Sequence, residues 1–232
     1  MITIRKSDAR GHADHGWLNA RHTFSFAGYF DPAHLGFGPL RVINEDRVAP
    51  GAGFPEHPHD NMEIITYIVS GALAHKDSTG STGEIRPGDI QHMTAGEGVE
   101  HSEFNPSKTD PVHLLQIWIK PRSRGAPPVY NQQHFDAASR RDTLRLVASP
   151  DGRDGSIPIH ADTRLYATLL GTGKTAALDL EPNHRAWVQL IKGGLTINGT
   201  PMAAGDGAAI AGEQRLEIAA TADAEALVFD LA

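Results

Sequence analysis

The chain has 232 residues, 40% hydrophobic and 21% charged, enough for one large all-β domain or two smaller ones. Its 28 acidic residues outnumber its 21 basic ones, and no basic block stands out, which excludes the electrostatic footprint of a nucleic-acid binder. The absence of cysteine excludes disulfides, iron–sulfur clusters and thiolate zinc sites, so any metal must be held by nitrogen and oxygen.

The opening stretch MITIRKSDARGHADHGW has no apolar core of signal-peptide length, and no later run approaches a membrane span. A cytoplasmic protein without membrane contact is expected. His12, His15, His22 and His34 crowd this end and read as solvated or hydrogen-bonded histidines. Short β-branched or aromatic segments bounded by turn residues follow, and they predict strands over 40–48, 63–71 and 112–120. PRSRGAPPVY (121–130) reads as a linker and NQQHFDAASRRD (131–142) as a short helix. Further strands are predicted over 186–199 and 225–232. The halves resemble each other faintly: YIVSG (67–71) matches LIKGG (190–194), and RPGDIQHM (86–93) matches AAGDGAAI (203–210). Two copies of one β unit are therefore expected, over 1–125 and 126–232, with a linker at about 121–135. Many short strands with regular turn signals favour a sandwich or barrel.

The chemistry concentrates in EHPHDNMEIITYIVSG (56–71). His57 and His59 are two apart around a proline that argues against a helix interior, so on an extended segment both imidazoles share a face. In AGEGVEHSEFN (95–105), His101 and Glu103 repeat the spacing after a Gly-rich turn. A lone His-x-His is more often a surface feature than a ligand pair. Two such pairs on converging strands present three imidazoles and a carboxylate, which leave about two positions open on a six-coordinate ion. Gln116, two residues before Trp118 on a predicted strand, is a candidate contact for substrate or for a ligand; the alternative is a buried amide satisfying backbone groups.

Gly51, His57, His59 and Gly71 resemble the first cupin motif, and Pro87-Gly88-Asp89 through His101 to Asn105 resembles the second. With HPH (57–59), GEGVEHSE (96–103) and HLLQIWI (113–119), the chain is similar to the pirin family. RGHADHGWL, HTFSFA (22–27) and LVFDL (227–231) resemble its bacterial quercetin 2,3-dioxygenase branch. The resemblance implies an all-β bicupin: two jelly-roll β-barrels with few short helices and a metal only in the N-terminal one. It implies His57, His59, His101 and Glu103 as ligands. Glu63, one position short of the usual cupin acid, is left out and read as a salt-bridged or capping acid. When Gly193 is aligned with Gly71, Asp179 and Glu181 stand where His57 and His59 would be. His160 and His184 read as ordinary polar residues.

The implied activity is cleavage of a flavonol such as quercetin with O2 and release of carbon monoxide, with Glu103 as base. One divalent transition metal per chain is expected. Fe(II) is the family's implication, and nickel, cobalt, manganese, copper or zinc suit the same donors. The expected partners are an aromatic small molecule and O2, and the chain is expected to be a monomer. The competing reading is a non-catalytic, pirin-type metal-binding protein acting through a protein partner.

Overall fold

The computed structural model describes residues 1–232. The chain opens with β1 (Ile2–Arg5), β2 (Gly11–Asp14), β3 (Leu18–His22) and β4 (Leu40–Val48). It continues with β5 (Gly53–His59), β6 (Glu63–Ser70), β7 (Leu73–Asp77), β8 (Thr82–Ile85) and β9 (Asp89–Thr94). Then come β10 (Val99–Phe104), β11 (Val112–Ile119), β12 (Val129–His134) and a single-turn helix α1 (Ala137–Arg140). The remainder is β13 (Arg145–Ser149), β14 (Ile157–Pro158), β15 (Thr163–Leu170), β16 (Thr175–Asp179), β17 (Arg185–Ile197), β18 (Thr200–Ala203), β19 (Gly207–Ala211) and β20 (Arg215–Leu231). No helix is long and apolar enough to cross a membrane.

These strands form two compact units. The first comprises residues 11–134 with 159–161, and the second residues 1–10, 135–158 and 162–232. In the first, a seven-stranded sheet (β12-β9-β6-β11-β4-β3-β2) and a four-stranded sheet (β5-β10-β7-β8) share a core. Val48, Ile68, Val112 and Leu114 from the larger sheet pack with Leu73 and Ile85 from the smaller. Each such side chain contributes roughly 1.5–3 kcal/mol on burial. β6 lies between β9 and β11 and is buried over all but its last residue, which explains its nearly unbroken apolar run. The second unit is one nine-stranded sheet built around β17 and β20, with Val188, Leu190, Leu216 and Val228 among its core.

Four local expectations are corrected. The stretch 131–142 is mostly not helix: Val129–His134 is a strand paired antiparallel with β9, from Val129↔Thr94 to His134↔Asp89. Ladder bonds to β9 outweigh the local helical pattern, and the helix begins only at Asp136, whose side chain caps it by accepting the Ser139 N–H. For the same reason residues 129–134 are not linker. The first ten residues belong to the unit formed by the C-terminal half, because β1 pairs with β19 from Ile2↔Ile210 to Arg5↔Gly207. The last strand starts ten residues earlier than 225, since Arg215–Ala219 pairs with β16.

Candidate metal centre

β10 is the organising strand. It runs antiparallel to β5 with His101 opposite His57 and Val99 opposite His59. On its other side it pairs with β7, with His101 opposite Asp77 and Glu103 opposite His75. Directly opposed residues share a face, so His57, His59, His75, Asp77, His101 and Glu103 all project from one side of the small sheet. β5 is the edge strand of that sheet, which is where Pro55 and Pro58 are tolerated. Gly53 lies opposite Phe104, and a Cβ there would overlap the Glu103 carbonyl oxygen and the Phe104 backbone. Its hydrogen lets β5 lie close enough to β10 to bring His57 onto His101.

The donor atoms of His57, His59 and His101 lie within 4.8 Å of one another. His101 Nε2 is 3.0 Å from His57 Nε2. Two donors about 2.1 Å from one ion at right angles stand about 3 Å apart, so this spacing fits a shared cation. Hydrogen bonding assigns the tautomers. His57 Nδ1 donates to the Pro55 carbonyl at 2.8 Å, which leaves Nε2 with a lone pair. Asp77 Oδ2 accepts from His75 Nε2 at 3.1 Å, so His75 Nδ1 is the acceptor for His101 Nδ1, a longer contact of 3.4 Å. His101 Nε2 is then also a lone pair, aimed at that of His57. Two facing lone pairs repel, and a bound cation removes the repulsion. Burial, then the charge of neighbouring imidazoles, lowers His59 to about 4 and His101 to about 3, so both are neutral at pH 7, the form that ligation requires.

Glu103 shares this face, and its oxygens group with His75 and His101 within 4.8 Å. Gln116 Nε2 donates to both carboxylate oxygens, at 2.8 and 2.7 Å, and Thr66 Oγ1 lies 3.4 Å from Oε1. Gln116 thus orients Glu103 and also lines the neighbouring pocket. Burial pushes the Glu103 carboxyl up to about 7 even though these hydrogen bonds oppose the shift. Glu63 points elsewhere: it accepts from His92 Nε2 at 2.8 Å, from Thr94 Oγ1 at 3.0 Å and from the His160 N–H at 2.8 Å.

The imidazoles open onto a small pocket of about 90 Å³. Its aromatic lining is Phe26, Phe54 and Trp118, and Trp118 meets His59 edge-on at 4.9 Å between centroids. The polar lining from the large sheet is His22, Asn44, Asp46 and Gln116. Among the N-terminal histidines, His22 is hydrogen-bonded as expected, to Asn44 Oδ1 at 2.8 Å; it is 6% exposed and also lines the pocket. His75 and Asp77 were legible in kind: HKD (75–77) repeats the i, i+2 pattern of HSE (101–103). Asp46 carried no motif.

In the second unit, Asp179 pairs with Arg215 and Glu181 with Arg164. His184 Nδ1 bonds Asp230 at 2.6 Å, and in the first unit His160 Nε2 meets Ser123 Oγ at 2.7 Å.

The pirin family model matches residues 3–119, and the model for a quercetinase C-terminal cupin domain matches 146–231. The chain is 47% identical over 231 residues to quercetin 2,3-dioxygenase of Escherichia coli, covering 100% of this chain and 99% of that protein. It is 40% identical to a pirin-like protein of Caulobacter vibrioides, with 100% of both chains covered. The crystal structure of the bacterial pirin YhhW from Escherichia coli in complex with nickel(II) superimposes with a TM-score of 0.95 at 46% identity, covering 100% of this chain and 99% of that one. An all-β architecture, a cluster of inward-facing histidines on the small sheet and full-length similarity lead to one conclusion: this chain is a member of the pirin family, built from two cupin domains.

Proposed function

We propose that the chain is a metal-dependent dioxygenase that opens the central ring of a flavonol such as quercetin. In this reaction both atoms of O2 enter the product and one ring carbon leaves as carbon monoxide. The observation that carries the reading is the pair of facing Nε2 lone pairs of His57 and His101, 3.0 Å apart at the wall of an aromatic-lined pocket. It is supported by the name of the Escherichia coli relative.

In this reading His57, His59, His101 and Glu103 hold one divalent ion. We assign Fe(II), and the nickel(II) of the bacterial pirin structure makes nickel the alternative to test. Such an ion supplies Lewis acidity toward a substrate oxyanion. The rest falls to the protein. Glu103 takes the proton of the flavonol 3-hydroxyl at a carboxylate oxygen. Gln116 holds that carboxylate in place. Phe26, Phe54 and Trp118 enclose the flat ring system and exclude water from it.

The test is to load purified protein with Fe(II) or nickel(II), add quercetin, and follow its visible absorbance together with O2 uptake and carbon monoxide release. Stoichiometric uptake and release are expected. Tight metal binding with no O2 consumption for either ion would favour the binding-protein reading instead.

A further inference from the structure

The first and second units contain seven buried acidic side chains, and six have a partner. Glu45 bonds His113, Glu63 bonds His92 and Thr94, Asp77 bonds His75 and Thr79, and Glu103 bonds Gln116. Asp206 bonds Lys6 and Asp230 bonds Arg164. Asp46 is the exception: it is 3% exposed and its Oδ1 is buried without a hydrogen-bond partner. The register explains why. On β4 it lies between Ala20 of β3 and Leu114 of β11, neither of which has a side chain able to donate. A buried orphan carboxyl is costly and rare enough to call for a reason.

Its position supplies one. Asp46 lines the pocket from the large sheet, whereas His57, His59 and His101 project from the small sheet. Asn44, on the same face two residues earlier, is already engaged by His22. A flat ligand lying between the sheets therefore meets metal ligands on one side and one free acceptor on the other. We propose that Asp46 is a recognition residue that accepts a hydrogen bond from a phenolic hydroxyl of the bound substrate, remote from the hydroxyl that faces the metal centre. Aryl hydroxyls are strong donors to carboxylates. The inference rests on the flavonol reading of the pocket and extends it to selection among polyhydroxylated substrates.

The experiment compares quercetin with 3-hydroxyflavone, which keeps the 3-hydroxy-4-keto group and lacks every other hydroxyl. Dissociation constants are measured without O2 on metal-loaded wild type, Asp46→Asn and Asp46→Leu. The readout is each protein's preference for quercetin over 3-hydroxyflavone. A hydrogen bond to a charged group predicts that Asp46→Leu lowers this preference about 10- to 100-fold. Asp46→Asn, which keeps an uncharged acceptor and the same shape, lowers it about 3- to 10-fold. If Asp46→Leu does not fold, the asparagine variant decides. An unchanged preference in the folded variants overturns the assignment, as does an equal loss of affinity for both compounds, which would make Asp46 structural. O2 uptake is read separately: an Asp46-dependent preference without turnover keeps this subsite and sinks the dioxygenase reading. If neither compound binds the wild type, both fall.

Discussion

Replacing Glu103 by glutamine keeps the volume of a fully buried side chain and removes its charge. Burial raises this carboxyl from 4.5 to about 7 in the folded protein without metal. Between those values the folded state holds the proton more tightly than the unfolded chain, so this group's contribution to stability falls as pH rises. The displacement corresponds to about 3 kcal/mol lost between pH 4 and pH 8. Glu103→Gln escapes that loss. It incurs a pH-independent cost of about 1 kcal/mol, because its amide must rearrange against the Gln116 amide that now donates to both oxygens. In urea titrations of the metal-free proteins, the variant should be equal to or less stable than wild type at pH 5, and more stable by about 2 kcal/mol at pH 8. Divalent metal should reverse the order at pH 8, since the ion compensates the wild-type carboxylate. Turnover of quercetin should fall about 10²- to 10⁴-fold as the base is lost. Parallel pH dependence of stability in the two metal-free proteins would refute the buried-carboxyl argument. Normal turnover in the variant would refute the role of Glu103 as base.

His57→Ala should abolish metal retention after dialysis, measured by elemental analysis, whereas His184→Ala, which breaks the bond to Asp230 in the other unit, should keep its metal. Equal loss in both would place the site elsewhere. Asp77→Asn weakens the acceptor that sets the His75 tautomer and hence that of His101, so metal affinity should drop about 10- to 100-fold with the fold retained. Affinity equal to wild type in a competition titration with a chelator would show that the chain of three residues does not orient His101. Gly53→Ala inserts a Cβ against the Glu103 carbonyl and Phe104, forcing β5 away from β10. Thermal stability and metal affinity should fall together, and a variant that lost neither would show that the close approach is dispensable.

The spacing of two residues was sufficient to place His57 with His59, and His101 with Glu103, on shared faces, because strand side chains alternate whatever the strand pairs with. Absence of cysteine settled the donor chemistry in the same local way. The strands at 40–48, 63–71 and 112–120 were legible because burial on a sheet leaves its mark in β-branched and aromatic residues. Pairing left no such mark. That β12 extends the large sheet rather than starting a helix follows from its ladder with β9, and that Ile2–Arg5 joins the C-terminal unit follows from its ladder with β19. Only register put His75 opposite Glu103 and Asp77 opposite His101, which made HKD a neighbour of the histidine cluster. Only register also set Asp46 between Ala20 and Leu114, where no neighbour can satisfy it. Alternation is a property of one strand and is written in it; a hydrogen-bond partner belongs to two segments tens of residues apart, and only the folded sheets decide which ones meet.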